Sequence, residues 1–167
     1  EKTPIVISAQ ASRLAEVLML AKENGAQLVI LDTAPHSEST ALAAARAADL
    51  ILIPCRPGIL DIRAIATSAD LAQLAKKPAA AVLNAIPPQG HLPDEAGEAL
   101  KSFGLAVSPV RITHRAAFVH SLTASTGVLE YEPDGKATEE IKQLYKWTIS
   151  HVNALTRQQG KKEALAS

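Results

Sequence analysis

LVILDT (Leu28–Thr33) and LILIP (Leu50–Pro54) are the two stretches on which the fold reading turns. Each is a short, unbroken apolar run with turn residues at its end. That pattern predicts strands covered on both faces, as in a parallel sheet packed between helices. The first run leads directly into Asp32-Thr33-Ala34-Pro35. In open α/β sheets the carboxyl ends of the strands are where ligands bind, so Asp32 stands at a chemically useful place.

Working outward, PIVIS (Pro4–Ser8) predicts a further strand. Leu14, Val17, Leu18 and Ala21 recur at helical spacing, with Gly25 as the stop. Ser37-Glu38-Ser39-Thr40 is placed to cap an Ala-rich helix, Ala41–Ala48. Beyond the loop Arg56-Pro57-Gly58, Asp61 is expected to cap a helix to about Ala75, with Ile65 and Leu71–Leu74 facing inward. Ala79–Asn84 predicts another buried strand. Ala96, Ala99, Leu100 and Phe103 mark a helix ending at Gly104, and Leu105–Ile112 contains one more strand. A helix near Ala116–Thr123 precedes a loop through Gly127 and Pro133-Asp134-Gly135. The last helix carries Ile141, Leu144, Tyr145, Val152 and Leu155 on one face, and the polar tail Gln158–Ser167 is expected to fray.

Alternation of this kind implies βαβ crossovers: an α/β fold, three-layered and doubly wound, with a mostly parallel sheet. Leu28–Thr33 and Leu50–Ile53 are its expected central strands. At 167 residues the chain suits one α/β domain and is short for two. Hydrophobic content of 47% against 3% aromatic indicates a core of Ala, Val, Leu and Ile, which suits helices on a sheet better than a β-sandwich. Seventeen basic residues balance seventeen acidic ones, so no global field favours nucleic acid or membrane, and any attraction has to be local. The single Cys55 excludes an internal disulfide and fits a reducing, cytoplasmic setting. No apolar stretch approaches the length of a membrane span.

Three features bear on chemistry. Asp32 has two readings: a turn or capping residue after a core strand, or a strand-end carboxylate holding a water of Mg²⁺, an ion that keeps several waters and takes few protein ligands. Asn84 likewise reads as a turn residue, or as an amide whose donor and acceptor match the edge of adenine. Arg56, Arg63, Arg111, His114 and Arg115 lie near predicted strand ends, where they can meet phosphate, a partner or only solvent. The five histidines lack metal-ligand spacing, G-x-S-x-G is absent, and so is the phosphate loop G-x-x-x-x-G-K-[ST].

In order, LVILDTAP, AADLILIPCRPGILDIRAI, AAAVLNAIPP and VSPVRITHRAAFVHSLTASTGVLEY, with the closing amphipathic helix, resemble the ParA-type partition ATPases. The likeness is greatest to the ParF-like and VirC1-like members, which also resemble MinD, and it runs from about Gln27 to Val152. It implies a P-loop NTPase-like fold of the deviant Walker A class, using ATP/ADP and Mg²⁺ and forming a homodimer on ATP binding. It further implies nonspecific DNA binding, an adaptor or centromere-binding partner, and a role in DNA segregation. By the same resemblance Asp32 matches the Walker B acid, with Thr33 and Pro35 beside it, and Asn84 the purine-contacting residue. Pro109, Arg111 and Ile112 match the nucleotide-side segment after the last strand, and Pro54–Asp61 the loop flanking the site. Arg115, Arg157, Lys161 and Lys162 are the candidates for DNA or partner contact. The family's lysine-rich phosphate loop has no match here. The expectation is therefore the C-terminal two-thirds to three-quarters of such a domain, inactive alone. A non-catalytic interaction module of the same fold is the alternative. A phospho-acceptor receiver is disfavoured, since Ser8-Ala9-Gln10 and Asn84-Ala85 supply neither the acidic pair nor the lysine it needs.

Overall fold

The computed structural model describes residues 4–33 and 38–166, with side chains to 158. It resolves into two compact units, Glu1–Ile51 with Asp70–Pro78, and Leu52–Ala69 with Ala79–Ser167.

In the first unit a single 3-10 turn, Ala11–Arg13, leads into helix α1, Leu14–Glu23. The helix stops where predicted, because Gly25 at φ +80° supplies the left-handed conformation of a C-terminal cap. Helix α2, Glu38–Ala47, packs against α1 and buries Ala44 and Ala45. It starts earlier than predicted, and its proposed cap Ser37 lies outside the described residues.

Two predictions for this unit fail. Neither Pro4–Ser8 nor Leu28–Thr33 is a strand; both lack regular secondary structure. Val6 is 89% exposed and Ile30 82%. An unbroken apolar run is buried on both faces only if strands pair along both edges and helices cover both sides. Leu28–Thr33 has no ladder partner among the described residues, so its side chains stay in solvent except the half-buried Leu31.

The sheet consists of β1 (Ile51–Cys55), β2 (Ala79–Leu83) and β3 (Ala106–Val107), in that spatial order. Helix α3, Ile59–Ala75, follows β1, and helix α4, Leu92–Ser102, follows β2. Backbone bonds from Ile51 N to Pro78 O (2.9 Å) and from Asn84 N to Cys55 O (2.8 Å) run β1 and β2 in the same direction. β2 and β3 pair in parallel with Ala80 opposite Ala106 and Ala81 opposite Val107. The expected α/β fold with a parallel sheet is therefore present. β2 is the strand that is enclosed: Ala80, Ala81, Val82 and Leu83 are all buried. β1, expected at the centre, is an edge strand of this sheet, and it alternates buried Ile53 and Cys55 with exposed Leu52 and Pro54. Alternation, not a continuous apolar run, is the signature of one covered face.

The helices follow from their periodicity. α4 buries Pro93, Ala96, Gly97 and Leu100, an i, i+3, i+4, i+7 stripe laid on β2 and β3. Asp94 and Glu95 in its first turn and Lys101 in its last complement the helix dipole, and Gly104 at φ +74° ends it. In α3 the buried positions are Ile62, Ile65, Ala69, Ala72 and Ala75; Leu74, expected inward, is 62% exposed. The 3.6-residue period selects the alanines, so the leucine between them points away. Asp61 lies in the first turn of α3 rather than at its cap, because the helix begins at Ile59.

Helix α5, Ala116–Thr123, has the predicted bounds. A short α6, Val128–Tyr131, occupies the predicted loop, anchored where Gly127 N donates to Glu130 Oε2 (2.7 Å). Helix α7, Lys136–Ala166, runs through the tail expected to fray. The buried Thr138 hydroxyl lies 2.9 Å from Val128 O and 2.7 Å from Glu132 O. It can donate to either carbonyl, and so ties α7 to α6.

Candidate functional site

The carboxyl end of β2 and the segment after β3 meet at one edge of the sheet. Beyond β3 the ladder loosens: Ser108 N donates to Ala81 O (2.8 Å) and Ser108 Oγ accepts from Val110 N (3.1 Å). Pairing then resumes, with Ile112 N on Leu83 O (2.9 Å), Ile86 N on Ile112 O (3.0 Å) and His114 N on Ile86 O (2.9 Å). Pro109–Arg111 is thereby looped out while Ile112 returns to the core, 6% exposed. Ile112 is a packing residue here, whereas Pro109 is exposed.

Asn84 sits at the mouth of this edge, exposed, with its Oδ1 accepting from Ala85 N at 2.9 Å. Its amide NH₂ remains available to a ligand. Ala85 has φ 50°, a left-handed conformation that costs a residue bearing a Cβ about 1–2 kcal/mol. Strain of this kind, held at the end of a central strand, is characteristic of functional turns.

Arg111 in the looped segment and Arg115 after it are both engaged. Arg111 Nη2 lies 2.6 Å from Asp94 Oδ1 in the first turn of α4, a solvent-exposed pair. Arg115 is held more firmly. Its Nη2 and Nε lie 2.7 and 3.2 Å from Glu140 Oε1 on α7. The same carboxylate accepts from Thr113 Oγ1 at 2.8 Å and, through Oε2, from Thr113 N at 3.1 Å. Burial pushes the Glu140 carboxyl up, but these donors outweigh it and hold it below its ordinary value. The Arg115 guanidinium is raised, chiefly by its hydrogen bond to Glu140. Glu140 is the residue that sequence reading missed: its partners lie 25 and 27 positions away, beyond any local pattern.

An open groove of about 600 Å³ lies over this clamp, lined by Pro88, His114, Arg115, Glu132, Asp134 and Lys136 among others. Its two acids and its cations give it mixed charge, which suits a polar ligand better than an apolar one.

Asp32 and Thr33 belong to the other unit, both exposed at the end of the unpaired apolar run; Pro35 lies outside the described residues. Arg157 is exposed on α7. Lys161 and Lys162 lie on the same helix backbone. Among the described residues no group of His, Cys, Asp and Glu could hold a metal ion by itself. Cys55 is buried, and burial followed by the nearby Asp61 charge pushes its thiol up, away from nucleophilic character. No described helix is long and apolar enough to cross a membrane. No protein-family model matches the chain, and no curated protein matches it.

Proposed function

We propose that this chain supplies most of a ParA-type, P-loop NTPase-like partition ATPase, a cytoplasmic DNA-segregation protein that dimerises around ATP and Mg²⁺. In this reading the phosphate loop comes from sequence outside the 167 residues. The observation that carries the reading is the carboxyl edge of the parallel sheet. There an exposed Asn84 on a strained turn closes β2, Pro109–Arg111 loops out after β3, and Thr113–Arg115 beyond it borders an open groove. Crevices at this edge are the usual ligand sites of open α/β sheets. By the resemblance Asn84 and Pro109 are assigned to the base; the resemblance separately assigns Asp32 with Thr33, in the other unit, to the Mg²⁺ shell. An adaptor or centromere-binding protein and nonspecific DNA are the partners.

The test is calorimetry with Mg-ATP on the 167-residue chain and on the same chain extended upstream in its gene. The short chain is expected to bind weakly or not at all, having no cradle of backbone N–H groups and no lysine for the phosphates. The extended chain is expected to bind and hydrolyse ATP, and Asp32→Ala in it to abolish turnover with little change in melting temperature. Micromolar binding by the short chain, or full turnover by the Asp32→Ala protein, overturns the assignment. The absence of a phosphate loop from the 167 residues supports a second reading, a non-catalytic interaction module of the same fold. That module leaves the extended chain silent in both assays.

A further inference from the structure

Ala85 joins the exposed Asn84 to the buried Ile86, and it sits at φ 50°. A left-handed residue bearing a Cβ persists only where the surrounding structure over-determines it. Bonds on both sides of Ala85 do so. On one side Asn84 N donates to Cys55 O at 2.8 Å, and Asn84 Oδ1 accepts from Ala85 N at 2.9 Å. On the other side Ile86 is bound at both backbone groups: its N–H donates to Ile112 O (3.0 Å) and its carbonyl accepts from His114 N (2.9 Å). Ile86 thereby forms an isolated parallel bridge with Thr113. In a bridge of this pattern the residue opposite turns its own N–H away from its partner, toward the next position in the sheet. No strand among the described residues occupies that position beside Thr113. The Glu140 carboxylate of α7 does. Its Oε2 accepts from Thr113 N at 3.1 Å and its Oε1 from Thr113 Oγ1 at 2.8 Å, while Arg115 Nη2 fixes the carboxylate at 2.7 Å.

We infer that Glu140 is the positioning residue of the sheet-edge site: it stands in for a neighbouring strand at Thr113, and so holds the Ala85 turn that aims the Asn84 amide. The inference rests on the reading of Asn84 as a ligand group given above, and it names what keeps that group in place. The route is short and lies within one unit of the chain. Glu140 fixes Thr113, the backbone on either side of Thr113 fixes Ile86, and Ile86 holds Ala85 from its C-terminal side. Without the carboxylate, the Thr113 N–H becomes a bare edge donor and the single bridge at Ile86 loses its outer support. Ala85 is then free to leave the left-handed region. It carries the Asn84 side chain with it, because Asn84 Oδ1 is bound to the Ala85 N–H. Glu140 itself touches no ligand in this scheme. Were it only a bolt between α7 and the sheet, its loss would loosen the unit evenly and leave the Asn84 amide where it is.

The first arm of the test contains no nucleotide. Native-state amide exchange and side-chain NH₂ spectra of the ¹⁵N-labelled chain compare wild type, Glu140→Gln and Ile65→Ala, a buried truncation on α3 outside the clamp and the turn. The Ile86 N–H is read against that of Val82, buried in β2, in the same sample, so that any change in global unfolding cancels. In Glu140→Gln the protection of Ile86 relative to Val82 should fall about tenfold, and the Asn84 NH₂ resonances should shift. In Ile65→Ala both amides should exchange faster in step, with the Asn84 resonances unmoved. In the second arm, on the chain extended upstream, Glu140→Gln should raise KM for Mg-ATP about tenfold and keep kcat within about twofold, the mark of lost binding geometry. An unchanged protection ratio, unmoved Asn84 resonances or an unchanged KM each overturns the inference. An extended wild-type chain silent toward ATP overturns the nucleotide reading instead, and the exchange comparison then decides the positioning role by itself.

Discussion

Replacing Glu140 with Gln tests whether the clamp fixes the segment beside the groove. The Glu140 carboxylate receives four hydrogen bonds, three at Oε1 from Thr113 Oγ1 and Arg115 and one at Oε2 from Thr113 N. A Gln with its oxygen at the Oε1 position keeps those three to a neutral acceptor, losing the carboxylate's charge, and turns its NH₂ against the Thr113 N–H. Charge-assisted bonds contribute about 1.5–3 kcal/mol each in isolation, but they share one carboxylate and the pair is partly solvated. A net loss of about 2 kcal/mol is expected, which lowers Tm by roughly 4–8 °C in a protein of this size. The pH dependence sharpens the test. Glu140 is depressed in the folded state, so its contribution is present in full above the unfolded carboxylate value of about 4.3 and is lost as pH falls through the folded value. The stability gap between wild type and Glu140→Gln should be flat from pH 8 to about 5 and close below about 4. Denaturant unfolding across pH, with Arg115→Gln completing a double-mutant cycle, should give a coupling of at least ~1 kcal/mol at neutral pH. A gap below about 0.5 kcal/mol, or one unchanged at acid pH, refutes the clamp.

Two further substitutions probe the frame around the site. Leu100→Ala should cost about 3–4 kcal/mol in urea unfolding, because its side chain is fully buried between α4 and the sheet. Leu122→Ala, 77% exposed on α5, should stay within about 0.5 kcal/mol; similar losses at both would contradict the packing described. Ala85→Gly should raise stability by about 0.5 kcal/mol, since relief of the left-handed strain exceeds the added entropy of glycine in the unfolded chain. A loss of more than about 0.5 kcal/mol would instead mean that the Ala85 methyl packs usefully.

Features set by near neighbours were legible in the sequence. The stops at Gly25 and Gly104, the span Ala116–Thr123, and the enclosed strand Ala79–Leu83, one residue shorter than predicted, all follow from local pattern. Features set by distant partners were not. Leu28–Thr33 has the composition of a central strand, yet composition cannot supply the neighbours that would make it one. The same limit hid the Glu140 clamp and assigned Ile112 to a ligand face when it closes the core.

The unpaired run at Leu28–Ile30 has a consequence for the behaviour of the chain in bulk. Bare backbone donors and acceptors beside β-prone, water-facing side chains form a template for like segments of other molecules. The window Leu28–Thr33 is also free of Pro and Gly and carries a single charge, at its margin, close to the composition of cross-β-forming segments. Asp32 thus occupies a gatekeeper position, where a charge bordering a sticky run keeps it from stacking. Removing that carboxylate to test catalysis also strips a guard against precipitation. Concentration, as much as chemistry, then decides how an Asp32 variant behaves in the tube.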